Sequence, residues 1–330
     1  MRKFLEEEKR RQTAFKAIAP YFSEAARAEG MYKGHRYPFC LPRDCAAENL
    51  FLEIRQPVLD YFARNEIKWH DGQEGKPSNH LCDSQVCCVN FLFPFADKPR
   101  ALAALLRPIY PTLAVMLPIE DGQFVACEWI GQKNYLGEIK SPNQKRTRGA
   151  NFTSADAAIM FEHADGRKQI VLIEWKYTEA YFSTLLETAA SGRKRTAIYQ
   201  RLFEKEDCPL AKEILPSYEA LFYEPFYQFM RQQFLAHEME KADEPATALG
   251  FVSRATSRTG RIEKHSALRN CHRVKFQTFS LTSPSPIPQS SSPRAQSTRP
   301  VHWPFPRSLP ASRQWGRPRR IPARSFHSAV

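Results

Sequence analysis

Three residues have the types and spacing for hydrolytic chemistry: Asp156, then after 17 intervening residues Glu174, and two positions on Lys176. Two carboxylates directly opposite one another on neighbouring strands lie roughly 5 Å apart at Cβ, close enough to share a divalent cation. Such a cation polarises a phosphoryl oxygen and lowers the pKa of a bound water. A lysine beside it can orient that water and offset the charge that grows on phosphorus. Together these are the parts of metal-dependent phosphodiester cleavage. The acid-x-Lys spacing is weak evidence by itself, because Glu-x-Lys begins at Glu7, Glu66, Glu74, Glu138 and Glu174 alike. A strand-end Glu–Lys pair is also what an ordinary exposed ion pair of little energetic worth looks like. What sets Glu174 apart is the aliphatic run Ile170–Ile173 directly before it, which marks the end of a buried strand.

The elements that must hold these groups are two short apolar segments, Ser154–Phe161 and Gln169–Thr178, joined through Asp165-Gly166, a strong hairpin signal. Side chains two apart on a strand share a face, so Glu174 and Lys176 point together while Val171, Ile173, Trp175 and Tyr177 point the other way. A two-residue turn at Asp165-Gly166 would pair Asp156 with Trp175. A three-residue loop, Ala164-Asp165-Gly166 with Gly166 left-handed, pairs Asp156 with Glu174 instead. Two acids on one face are unfavourable without a cation between them, so the expectation is the three-residue loop around a shared ion.

Asp156 and Glu174-Trp175-Lys176 across two strands resemble the PD-(D/E)XK nuclease superfamily. Pro77–Asn90, Tyr135–Glu138 and Arg148–Ala158 look like a bacterial restriction-endonuclease branch of it, and the likeness covers residues 30–245. The resemblance implies an α/β fold, a restriction-endonuclease-like mixed β-sheet flanked by helices with an αβββαβ core. It also implies Mg2+ as cofactor and DNA as substrate. Carried over, Asp156 and Glu174 become metal ligands and Lys176 the catalytic lysine. The proline of the family's motif is Ala155 here, which costs no chemistry. The acid often supplied by the first core helix has no obvious counterpart: that helix offers Gln85 and Asn90, with Asp83 at its start. Glu138, before the hairpin, is the candidate substitute metal ligand. Arg193, Lys194 and Arg195, at the start of the next helix, are candidates for contacts to DNA phosphates; a solvated helix start reads the same way. The reading is a Mg2+-dependent endodeoxyribonuclease, restriction-like. A repair or recombination nuclease of the same superfamily and a non-catalytic DNA-binding protein are the alternatives. Cutting both strands would take two copies of one active site, which fits a homodimer, although no stretch marks an interface.

The remaining chain supplies the frame. Helical patterning is expected over residues 1–30, over 46–68 with a break at Pro57, from Asp83 or Ser84 to Pro94, and over 99–107, 179–190, 194–206 and 218–241. Strands are expected at Thr112–Leu117 and Gln123–Trp129, and the aromatic group Phe222, Tyr223, Phe226, Tyr227 and Phe229 reads as core. His80, Cys82, Cys87 and Cys88 have poor zinc spacing and fall on a core helix, so buried thiols are expected. Phosphate loops, dinucleotide fingerprints, serine-hydrolase elbows and zinc-protease motifs are missing from the sequence.

The formal charge of +13 misleads as a whole-chain figure. Residues 251–330 hold 15 Lys and Arg against the single acid Glu263, whereas the first 250 residues hold 33 basic and 34 acidic groups. Residues 281–330 contain ten of the 25 prolines and no acid, which predicts a disordered C-terminal tail. That tail reads equally as a nucleic-acid-binding arm or as an accident of coding such as a frameshifted end. The expected organisation is an N-terminal helical extension at 1–76, a nuclease-like domain at 77–250 and the tail at 251–330. The charged N-terminus and the lack of an 18-residue apolar run argue against export and membrane insertion. Eight scattered cysteines suit a reducing, cytoplasmic setting.

Overall fold

The computed structural model describes residues 2–72, 75–138, 145–150, 152–179, 184–189, 192–242 and, for the backbone, 246–252. All lie within one compact unit, Met1–Pro284; the second unit, Ser285–Val330, falls outside the described residues, as does the expected disordered tail from 253 onward.

The central hairpin forms as its patterning predicts. Strand β5 (Ala155–His163) pairs antiparallel with β6 (Lys168–Lys176) in a register running from Glu162↔Lys168 to Ala157↔Ile173. The ladder ends one residue short of Asp156 and Glu174, and past it the Trp175 N–H donates to Asp156 Oδ2, which holds Asp156 against this end of β6. The turn is the three-residue loop: the His163 N–H donates to the Arg167 carbonyl at 2.8 Å, and Gly166 sits at φ +82°. Only glycine takes that conformation without steric cost.

β5 and β6 form the centre of a five-stranded mixed sheet of order β3-β5-β6-β7, with β4 pairing the other half of β5. β3 (Leu113–Leu117) and β4 (Ala126–Trp129) run antiparallel to β5, and β7 (Ala246–Val252) runs parallel to β6. The two faces of the hairpin enter separate cores. Ala157, Ile159, Phe161, Val171, Ile173 and Trp175 pack against helices α2 (Arg55–Arg64), α3 (Ser84–Leu92) and α4 (Pro99–Leu106). Ala158, Ile170 and Leu172 pack beneath α5 (Thr196–Phe203) and α6 (Phe226–Lys241). Each aliphatic side chain removed from water contributes about 1.5–3 kcal/mol, so this two-sided burial is what holds the layers together. α3 begins where the sequence says it should, with Asp83 Oδ1 accepting from the Val86 N–H at 2.8 Å. Helix α1 (Arg2–Ile18) and a small hairpin, β1 (Gly30–Tyr32) with β2 (His35–Tyr37), complete the described elements.

Several expectations need correction. The helix at 46–68 is two 3-10 turns followed by α2, and Pro57 falls in the first turn of α2, where no N–H is required, so it kinks nothing. Residues 184–189 of the expected helix at 179–190 are irregular, with Thr188 bridged to Lys194; residues 180–183 and 190 lie outside the described residues. The stretch 218–241 divides at Pro225 into a 3-10 turn and α6, because proline cannot supply the N–H that would continue the helix. The strand at 123–129 starts only at Ala126. Beyond the expected strands, β7 lies along the free edge of β6. Of the aromatic group, Phe222 and Tyr227 are core while Tyr223 is exposed. His80 is half-buried: burial pushes its ring down to about 4, and Nδ1 accepts from the Cys82 N–H. Among the described residues Cys40, Cys45, Cys82, Cys87, Cys88 and Cys127 are free thiols, and no helix is long and apolar enough to cross a membrane.

Two outcomes follow from the local geometry. Gly166→Ala meets no neighbouring atom, so its cost is conformational, about 1 kcal/mol in chemical denaturation, with the hairpin otherwise retained. Burial pushes the Asp83 carboxyl up from 3.8 to about 6, the Val86 N–H pulling the other way. A carboxyl raised by folding favours the fold fully below 3.8, and that contribution fades as pH rises through about 6. Asp83→Asn caps the helix without charge. It should therefore gain on the wild type by about 2 kcal/mol between pH 4 and pH 7 in thermal melts. A difference that stays constant with pH would contradict this assignment.

Candidate active site

Asp156, Glu174 and Lys176 meet at the end of the hairpin, on the side covered by α6. Glu174 and Lys176 are only 7% and 8% exposed, and Lys176 Nζ lies 2.6 Å from Glu174 Oε1. The other oxygen of Glu174 accepts from Gln232 Nε2 of α6 at 3.1 Å, and the same amide group donates to the Ser154 carbonyl at 2.7 Å. Asp156 leans over β6, where Oδ2 accepts from the Trp175 N–H at 2.6 Å. Trp175 itself faces the opposite core and packs on Phe91 of α3, ring centres 5.1 Å apart. The strand alternation thus splits the motif: acid and amine go to one side, the tryptophan anchor to the other.

The electrostatics follow from burial. Asp156 is raised well above the ordinary carboxyl range, first by burial and then by the charge of Glu174; Lys176 and the Trp175 N–H oppose the shift. Burial alone would push Lys176 down, but Glu174, Asp156 and Glu179 together hold its ammonium above the usual lysine value. Lys176 is therefore a fixed cation inside a group of acids.

Two acids missed by sequence reasoning belong to the same neighbourhood. Glu128 of β4 is 1% exposed, and its charge also raises Asp156. Its Oε1 accepts from Gln85 Nε2 and its Oε2 from Ser154 Oγ, both at 2.7 Å. Glu224 is raised by burial, lowered by Lys176 and raised again by Glu174, and its Oε2 finds no hydrogen-bond partner among the described residues. The available signal for Glu128 was an acid inside the apolar run Phe124–Trp129. Glu224 offered none beyond its place before Pro225.

The other expected site residues are placed differently. Glu138 is buried and engaged by Thr153 N–H at 2.9 Å, Thr153 Oγ1 at 2.6 Å and Tyr199 OH at 2.6 Å. Its link towards Glu174 runs through Arg231 of α6, which feels both charges. Arg193, Lys194 and Arg195 precede α5 instead of opening it. Lys194 is exposed. Arg195 donates to the Leu186 carbonyl at 3.1 Å and lies over the Tyr227 ring. Arg193 keeps Nε and Nη2 without a partner among the described residues.

Among the described residues no three His, Cys, Asp or Glu side chains are grouped closely enough to hold a metal ion by themselves. The oxygen donors here still suit Mg2+, which is commonly held by one or two carboxylates and keeps several waters. Asp156 accepts at Oδ2 from the Trp175 N–H, and the two oxygens of Glu174 face Lys176 Nζ and Gln232 Nε2.

No curated protein and no solved structure matches the chain. The family described as "Restriction Endonuclease associating with ARP" matches residues 9–276, well over half of the chain and past β7. With its α/β architecture, the chain therefore belongs to this restriction-endonuclease-like family.

Proposed function

We propose that the protein is a Mg2+-dependent endodeoxyribonuclease in which Asp156 and Glu174 hold the cation and Lys176 is the catalytic lysine. The observation that supports this reading is the buried group at the end of the hairpin, where the charges of Glu174 and Lys176 both act on Asp156 and the Lys176 ammonium lies 2.6 Å from Glu174. When bound, the cation would polarise a phosphoryl oxygen of DNA and acidify a water. Lys176 supplies a fixed positive charge and N–H donors, which orient the attacking water and offset negative charge growing on the phosphate. Gln232 restrains Glu174 from α6, and the Trp175 N–H restrains Asp156, so neither carboxylate is free to swing away. Preorganisation of this kind counts because a positional error of about 1 Å costs on the order of a hundredfold in rate.

The substrate assignment rests on the family membership together with cationic side chains beside the site. Arg193 has unpartnered guanidinium nitrogens among the described residues, Lys194 is exposed, and Arg195 lies close enough to Glu224 to share its field with Lys176. Such groups suit backbone phosphates, which position a duplex without reading its sequence.

The direct test is nicking of supercoiled plasmid. Wild-type protein should cleave with Mg2+ and not with EDTA. Lys176→Ala should lose about 10²–10³-fold in rate, the loss expected on removing one transition-state donor, while retaining its circular dichroism spectrum. Asp156→Asn should be inactive with Mg2+. Cleavage that persists in both variants, or that needs no divalent cation, would sink the reading. A second measurement concerns the substrate. Replacing Arg193 and Lys194 together by Ala should weaken DNA binding in Ca2+ and lower the slope of log K against log salt by roughly 2. An unchanged slope would remove these residues from the DNA contact.

A further inference from the structure

The acid pair is flanked by a third acid in the same row. β4 pairs with β5 through Ala126↔Ala158, Cys127↔Ala157 and Trp129↔Ala155, and the last two pairs bracket Glu128 on one strand and Asp156 on the other. Glu128 and Glu174 thus lie on the two strands that flank β5, and the charge of each acts on Asp156. Glu128 leaves the ladder at this point, with φ +47°, a conformation that residues with a side chain adopt only at a cost of about 1 kcal/mol or more. Arg148 holds it there: Nε donates to the Glu128 carbonyl at 3.1 Å and Nη2 donates to that of Cys127.

A second observation is independent of the acids. Gln232, 5% exposed, spends Nε2 on Glu174 and Ser154 but leaves Oε1 buried with no partner among the described residues. An orphaned buried acceptor costs about 1–3 kcal/mol. Beside a group of carboxylates, the ligand that satisfies another oxygen is a hydrated cation, which presents O–H donors as well as charge.

We propose that Glu128 is a positioning residue of the cation centre. Its charge strengthens the hold of Asp156 and Glu174 on a divalent cation, and its hydrogen bond to Ser154 fixes the start of β5. The inference rests on the reading of Asp156 and Glu174 as ligands. It goes beyond that reading by giving the third charge to a strand, where α3 contributes only the neutral Gln85 that steadies Glu128.

Titration calorimetry of the full chain with MgCl2 and MnCl2 alone, without DNA, tests this. Glu128→Gln keeps the size and loses the charge, and should bind Mg2+ about tenfold more weakly, since a unit negative charge beside the ligands attracts the cation through a low-dielectric interior. Glu128→Asp keeps the charge and should stay within a few-fold of wild type, whether or not the glutamine variant folds. Wild-type affinity in Glu128→Gln alongside lost binding in Asp156→Asn would overturn the proposal and leave the acid pair standing. A tenfold loss in Glu128→Asp would overturn it as well, because the charge would then not be what counts. No binding by the wild type would instead fail the cation reading itself, and this inference with it.

Discussion

Placing two carboxylates level with one another inside a protein is unfavourable, and the sheet is arranged around containing that cost. Lys176 contacts Glu174 at 2.6 Å, yet Asp156 remains raised well above the ordinary carboxyl range. One ammonium thus fails to neutralise the group, which also feels Glu128 and lies near Glu224. Buried ion pairs are poor stabilisers, and well-packed apolar residues of similar volume often serve a fold as well or better. An ordinary core would have no use for this cluster at the rim of an otherwise aliphatic hairpin. Perturbed titratable groups gathered in this way are the usual signature of a functional site.

The parts of this arrangement legible in the sequence were those written locally. Asp165-Gly166 marks a hairpin but allows loops of two or three residues, and the preference for three came from the unfavourable charge of two acids on one face; the structure has the three-residue loop. Asp83 before Val86 announces the start of α3. Glu128 was different. Its stretch reads as an unremarkable short strand, and its importance appears only when β4 is laid against β5, a pairing between residues about thirty apart in the chain. The helix expected at 179–190 failed because apolar spacing around Leu185 and Leu186 imitates a helix. There the chain instead bonds outward, the Leu186 N–H donating to the Phe222 carbonyl at 2.8 Å. β7 was hidden by the composition of the tail that follows it, although Ala246–Val252 is a good strand once β6 offers its free edge.

Each side of the acid row is anchored by polar contacts from distant parts of the chain, and this explains how a strained, charged rim keeps its shape. On the β4 side, the Arg148 guanidinium reaches Glu120 Oε1 at 2.7 Å and Tyr61 OH at 2.9 Å besides two β4 carbonyls, while the Cys127 N–H donates to the same tyrosine oxygen. Charge-assisted bonds of this kind contribute roughly 1.5–3 kcal/mol each, enough to offset the left-handed residue they surround. On the β6 side, Tyr177 follows Lys176 directly, and its OH donates to Glu8 of α1 at 2.7 Å while its N–H donates to Ser84 Oγ at the start of α3. α1 is in this sense a support of the lysine strand, pinned to it one residue past Lys176. Because the two anchors share no residues, disturbing either should shift one flank of the row and leave the other in place. Asp156, between them, is held among the described residues by the Trp175 N–H, and the charges of Glu174, Lys176 and Glu128 all act on it.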